Sequence, residues 1–284
     1  MSIDYLMTLV VYSSVNIILA SSLNVLVGFA GQVSLGHAAF FGIGAYTSAI
    51  FTVKFGWSYW WALPMAVLLG GIIGFLLGLP ALRVKEDFLV LATIGINFVV
   101  VAIFNYIPFF GGPYGIVGLP RPGFGNYRFN TFTYAFYSFI VCVAVLIFIR
   151  YISKVYVKMG FDALRENESA AESIGVSTAR YKIYAFSIAG ALAGLAGNLW
   201  AHYMGVIFPD NFSFGVSIGI ITMVVIGGIG TIIGPVIGAI IITLLPEMLR
   251  VIENFRMLVY GIIIILTMMY LPDGLVSLFK KRSV

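Results

Sequence analysis

The chain has 284 residues, 61% of them hydrophobic and 10% charged, with a formal net charge of +5. A typical soluble domain carries about 25% charged residues, and several apolar runs here reach the roughly 18 residues needed to cross a bilayer. This excludes a soluble globular protein and points to an all-α polytopic membrane protein whose positive charge reflects topology rather than binding to nucleic acid.

In chain order, charges and turn residues mark about nine membrane helices, roughly Tyr5–Val27, Ser34–Val53, Trp60–Leu79, Phe88–Phe110, Phe132–Tyr151, Ile183–Tyr203, Phe214–Ile229, Thr231–Leu249 and Met257–Leu271. The N-terminus, MSIDYLMTLVVYSS, carries Asp4 and no basic n-region. It reads as the first membrane helix and not as a cleaved signal. No stretch looks like a separate soluble domain, so residues 1–284 read as one transmembrane unit.

Across the first two helices, from Tyr5 to Val53, there is no Asp, Glu, Lys or Arg, yet "GFAGQVSLGHAAFF" places Gln32, Ser34 and His37 beside Gly28, Gly31 and Gly36. Non-helical backbone at membrane depth is tolerated only where protein or a water-filled cavity covers it. The stretch therefore reads as a helix break facing the interior, with Ser34 capping the second helix. Gln32 and His37 either satisfy freed backbone groups or face a substrate path. Further along, Asn198 and His202 lie one helical turn apart and form a mildly polar stripe, for which packing and pathway lining are again both open.

Glycines repeat every four residues at Gly70, Gly74 and Gly78, at Gly190 and Gly194, and at Gly230, Gly234 and Gly238. Lipid offers helices little hydrophobic gain on association, so small residues that let backbones approach become the adhesive. Packing within the chain or against a second subunit fits each pattern. The lone Cys142, between Val141 and Val143, excludes an intrachain disulfide and reads as an inert thiol.

The large polar loop, about 152–182, reads "KMGFDALRENESAAESIGVSTARYK" from Lys158. Asp162 is expected to cap a helix. Ser169 to Glu172 fits the S-x-x-E capping box. Gly175 supplies a stop, and Ser177 or Thr178 caps the next membrane helix. One or two short helices result, presenting Arg165, Glu166, Glu168 and Glu172 outward. Such a rigid body suits docking of a soluble motor subunit better than a plain connector would.

The basic residues give an orientation. Placing 150–182 in the cytoplasm puts eleven of the sixteen Lys and Arg residues on that side, including Lys280, Lys281 and Arg282 near the C-terminus. By the positive-inside rule the N-terminus is then outside and the C-terminus cytoplasmic. No acidic residue lies near the middle of a predicted span, which disfavours a proton-driven carrier. The chain has no GxxxxGK[ST], HExxH or Cys/His cluster, so neither nucleotide hydrolysis nor a bound metal or other cofactor is expected of it.

Three blocks carry a resemblance: "GQVSLGHAAFFGIGAY" (Gly31–Tyr46), "ALRENESAAESIGV" running into "AFSIAGALAGLAGNLWAHY" (Ala163–Tyr203), and "VVIGGIGTIIGPVIGA" (Val224–Ala239). "GGPYGIVGLPRP" (Gly111–Pro122) is a weaker fourth. Together they resemble the LivM-type membrane permeases of branched-chain amino acid ABC importers. The resemblance implies a type II importer-like fold lacking one N-terminal span of a ten-span plan. It also implies half of a paired permease, with a LivH-type second permease subunit, two cytoplasmic ATPase subunits, an external solute-binding protein and a small amino acid substrate. Ala170, Ala171 and Gly175 match the "EAA…G" coupling pattern, whereas Ser169 stands where that pattern has Glu. Leucine, isoleucine and valine are the implied substrates. Urea, short-chain amides and other amino acids are the alternatives, and a passive channel or a membrane-embedded enzyme is the rival class.

Overall fold

In lipid every backbone donor and acceptor must be satisfied within the protein, so long apolar runs become helices whatever their intrinsic propensity. The computed structural model describes residues 3–82, 86–124, 127–248, 258, 261–262, 265, 269 and 274–278. Helix α1 (Ile3–Asn24) runs into a π turn at Val25–Phe29, and α2 (His37–Ala49) into another at Ile50–Lys54. Then come α3 (Tyr59–Ala81), α4 (Glu86–Tyr106), α5 (Thr131–Ile152), α6 (Tyr156–Glu166), α7 (Glu168–Ser173), α8 (Thr178–Met204), α9 (Phe214–Gly227) and α10 (Ile233–Met248).

Among the described residues, six helices are long and apolar enough to cross a membrane: Ile3–Phe29, Tyr59–Ala81, Phe88–Tyr106, Thr131–Ile152, Thr178–Met204 and Pro209–Gly227. The nine expected spans therefore meet six of that kind. The second expected span begins at His37, three residues later than expected, and α10 contributes only a shorter apolar stretch, Ile233–Leu245. The ninth expected helix falls largely on residues outside those described, as do Lys280, Lys281 and Arg282. The sixth begins at Thr178 and not at Ile183, because Lys182 is buried inside the helix and paired there.

Every residue of α2 except Ile43 is buried, so α2 is the axial helix, packed against α3, α4, α8 and α9. The outer helices have two kinds of face. Leu68, Phe75, Leu91, Phe136 and Ile147 are exposed on α3, α4 and α5, where apolar side chains suit lipid. On α3, Gly70, Gly74 and Gly78 turn inward. A Cβ added to Gly70 would lie 2.5 Å from the Gly190 carbonyl, and one on Gly194 2.5 Å from that of Ala66. Gly74 and Gly78 continue the α3 seam against Phe186 and Ile183, and Gly194 also meets Gly44 of α2. Gly234 and Gly238 hold α10 against α9, but Gly230 does not belong to that helical ridge. It lies in the turn between α9 and α10 with φ +80°. Cys142 is buried in α5.

At the end of the bundle opposite α6 and α7, the segment between α4 and α5 folds over the helix ends. β1 (Ile116–Val117) pairs antiparallel with β4 (Val206–Ile207), and β2 (Gly123–Phe124) pairs with β3 (Tyr127–Arg128). Gly118 and Leu119 both donate to the carbonyl of Gly205, whose left-handed φ of +73° ends α8. Asn130 caps α5 through Oδ1, which accepts from the Thr133 amide at 2.9 Å.

Candidate functional site

The Gly28–Gly36 stretch is a break, and its position is set by glycine and by the π turn. Ala30 N bonds Val25 O at 3.2 Å and Gln32 N bonds Leu26 O at 3.0 Å, so the helix widens and then stops. Gly31 turns the chain with φ +69°. The backbone then runs without helix to Gly36, with Gln32, Ser34 and Gly36 buried and Val33 and Leu35 half-buried between them. Gly36 packs against the carbonyl of Thr93, and Thr93 Oγ1 accepts from Leu35 N at 3.1 Å. Freed backbone is thus met partly by α4.

Ser34 does not cap α2. The helix starts at His37 with Gly36 at the cap position and no side-chain cap, while Ser34 Oγ accepts from Gly36 N at 3.4 Å. The Ala38 amide is met instead by Ser217 Oγ of α9, at 3.0 Å. Gln32 Nε2 donates to Ala30 O at 3.4 Å. His37 joins the two helices, with Nε2 2.7 Å from Ser22 Oγ of α1. His37 Nδ1 and Ser21 Oγ are buried without a hydrogen-bond partner among the described residues. Gln32, Ser34 and His37 are all at most 2% exposed.

Asn198 and His202 lie nearer the other end of the bundle and meet a third residue, Ser48 of α2. His202 Nε2 is 2.7 Å from Ser48 Oγ, and Asn198 Nδ2 donates to that oxygen at 2.6 Å. His202 Nδ1 is 2.7 Å from Pro120 O, which can only accept, so Nδ1 carries the hydrogen. The same contact ties the Gly111–Pro122 segment to α8. Ser48, Ser22, Ser217 and Asn24 were not singled out from sequence. Each is a small polar residue in an apolar run, a weak signal because such residues also bond their own helix.

The polar loop folds into two short helices, with different caps from those expected. α6 begins at Tyr156, so Asp162 lies inside it and pairs with Lys158 one turn back. Asn167 caps α7 through Oδ1, which accepts from Ala170 N at 3.0 Å. Ser169 is therefore an exposed residue within α7 and not its cap. Gly175 ends the element with φ +86°. Phe161, Leu164 and Ala171 face the chain's own body. Arg165, Glu166, Ala170 and Glu172 are exposed, but not all of them point only outward. Glu168 Oε1 lies 2.6 Å from Lys182 Nζ, Glu172 Oε1 accepts from Thr178 Oγ1 at 2.6 Å, and Arg165 Nη1 donates to Gly28 O at 2.8 Å.

A bundle with a buried axial helix, lipid-suited outer faces and a compact polar helix pair at one end defines a polytopic α-helical membrane protein. The chain matches the family described as branched-chain amino acid transport system / permease component over residues 5–268. It is 32% identical to the high-affinity branched-chain amino acid transport system permease protein LivM of Escherichia coli, over 94% of this chain and 69% of that protein. It is 24% identical to a probable LivM of Methanocaldococcus jannaschii, over 75% of this chain and 68% of that protein. It is 26% identical to a probable LivH of the same organism, over 96% of this chain and 92% of that protein. No solved structure matches the chain. The chain belongs to the branched-chain amino acid transport system permease family.

Proposed function

We propose that this chain is one half of the translocation pathway of an ABC importer for leucine, isoleucine and valine. A LivH-type permease supplies the other half, two cytoplasmic ATPase subunits the energy, and an external binding protein the solute. Residues 1–284 act as one transmembrane domain of nine spans, with the N-terminus outside and the C-terminus in the cytoplasm. Similarity to both LivM and LivH proteins supports the paired arrangement.

The observation that carries the reading is the α6–α7 body. It is short, bounded by a cap and a stop, and fastened to α8 by Glu168 and Glu172. A body held this way passes on a push where a slack connector would absorb it. Asp162, Arg165, Glu166, Ser169, Ala170, Ala171, Glu172 and Gly175 form the coupling region. Gln32, Ser34 and His37 on one side, and Asn198 and His202 on the other, are candidates for lining the path or for holding the helices that line it.

The test is purification of the tagged chain with whatever it binds, followed by uptake of labelled leucine in liposomes with the cognate binding protein. Co-purification of an ATPase and ATP-dependent leucine uptake are expected. Competition by urea, acetamide or another amino acid in place of leucine would move the substrate assignment. ATP-independent flux through the chain alone would support a channel instead.

A further inference from the structure

Arg165 occupies a position that a docking side chain does not need. It lies in the last turn of α6, yet its guanidinium reaches into two breaks of the bundle. Nη1 donates to Gly28 O in the π turn of α1. A Cβ on Gly230, in the turn between α9 and α10, would stand 2.7 Å from that same Nη1. The stem of Arg165 covers Gly31, where an added Cβ would be 3.1 Å from its Cα. The two breaks are themselves joined. Asn24 Oδ1 accepts from Gly230 N at 2.8 Å, Asn24 Nδ2 donates to Thr231 O at 2.8 Å, and a Cβ on Gly28 would lie 2.5 Å from Gly230 N.

The chemistry suits the place. A carbonyl in the last turn of a helix has no partner within the helix and carries part of the negative end of its dipole. A guanidinium is a flat, permanently charged donor with several N–H groups, and it can serve one carbonyl while lying against a second strip of backbone. Gly31 and Gly230 both have left-handed φ, +69° and +80°, and neither carries a side chain that would hold the guanidinium away.

We propose that Arg165 is the positioning residue through which a displacement of α6 reaches both breaks, and that it acts inward on the bundle and not outward on the ATPase. This rests on the importer reading. Glu168 and Glu172 hold α7 to α8, and α6 packs against both α7 and α8. Arg165 is the link from α6 to the end of α1, whose Ser22 meets His37 at the start of α2, and to the turn that follows α9.

The experiment compares the unmodified chain, Arg165→Gln and Arg165→Lys, each reconstituted with its partner permease, ATPases and binding protein. The readouts are retention of the ATPases on purification and leucine taken up per ATP hydrolysed. Arg165→Gln should keep its ATPases and hydrolyse ATP, while uptake per ATP falls about tenfold, the scale of one charge-assisted hydrogen bond. Arg165→Lys keeps the charge and a donor for Gly28 O but not the flat contact at Gly230, so its ratio should be intermediate. Loss of the ATPases from Arg165→Gln complexes would mark an outward docking residue and overturn the proposal. So would unchanged uptake per ATP in both variants, with the importer reading left standing. Absence of ATP-driven uptake by the unmodified complex would overturn that reading and this proposal together.

Discussion

Lys182 Nζ lies 2.6 Å from Glu168 Oε1, and the lysine side chain is only 4% exposed. The pair fastens α7 to the buried flank of α8, about one turn inside the start of the helix. Removing one partner from a buried pair leaves an uncompensated charge, whereas removing both can be nearly neutral. Glu168→Ala should therefore loosen the α6–α7 body more than the double variant Glu168→Ala/Lys182→Met does. Limited proteolysis between residues 152 and 178 measures it. Equal protection of the single and double variants would show that the pair carries no coupling.

The α3–α8 seam depends on the absence of side chains. Gly190→Val places atoms where the Gly70 carbonyl stands, and overpacking of this kind costs about 1–3 kcal/mol. Gly95 of α4, where an added Cβ meets nothing within 4 Å, is the control. Thermal unfolding in detergent should drop for Gly190→Val and stay level or rise slightly for Gly95→Ala. A similar loss for both would show that the seam is not what the measurement reads, because helix propensity favours alanine and valine over glycine.

For the break between α1 and α2, single cysteines at Gln32, Ser34 and His37 in a Cys142→Ala background distinguish pathway from packing. If these positions adjoin a hydrated path, their reaction with small water-soluble thiol reagents should change when the complex binds nucleotide. All three are buried within this chain in the state described. Protection in every state would assign them to packing alone.

Two neighbouring alanines in α7 should behave differently. Ala170 is exposed and Ala171 is 3% exposed, packed on its own chain. Ala170→Glu should weaken ATPase association with the helix intact, and Ala171→Glu should disturb α7 itself. Gly175→Pro cannot hold φ +86° and loses the 3.0 Å bond from its amide to Glu172 O. Uptake should fall sharply in all three at near-normal membrane abundance. Full ATP-dependent uptake by all of them would make the loop a connector only.

The proposed orientation rests on the distribution of basic residues, and tags at Ser2 and Ser283, both outside the described residues, test it. With an impermeant thiol reagent on intact cells, the first should label and the second should not. Equal labelling of the two would sink the nine-span arrangement.

What could be read from the sequence was whatever depends on composition and local order. Unbroken apolar runs of this length in a chain with 10% charged residues must be helical in lipid, because backbone groups there pair only within a helix or a closed barrel, and barrel strands alternate apolar and polar. The Gly28–Gly36 break, the stop at Gly175 and the small-residue faces at Gly70, Gly74, Gly190 and Gly194 follow from the lack of a Cβ. Choices among nearby polar residues were made by tertiary structure. Asn167 and not Ser169 caps α7, Gly36 and not Ser34 precedes α2, and Asp162 pairs inside α6, since several candidates of similar propensity stood within a turn of one another. The remote pairings left no local trace. Arg165 meets Gly28, His37 meets Ser22, and His202 meets Ser48 and Pro120, across separations fixed only by how the helices pack. Lys182 could not be placed inside a helix from its charge alone, because its partner Glu168 lies on another element and reaches it only in the folded chain.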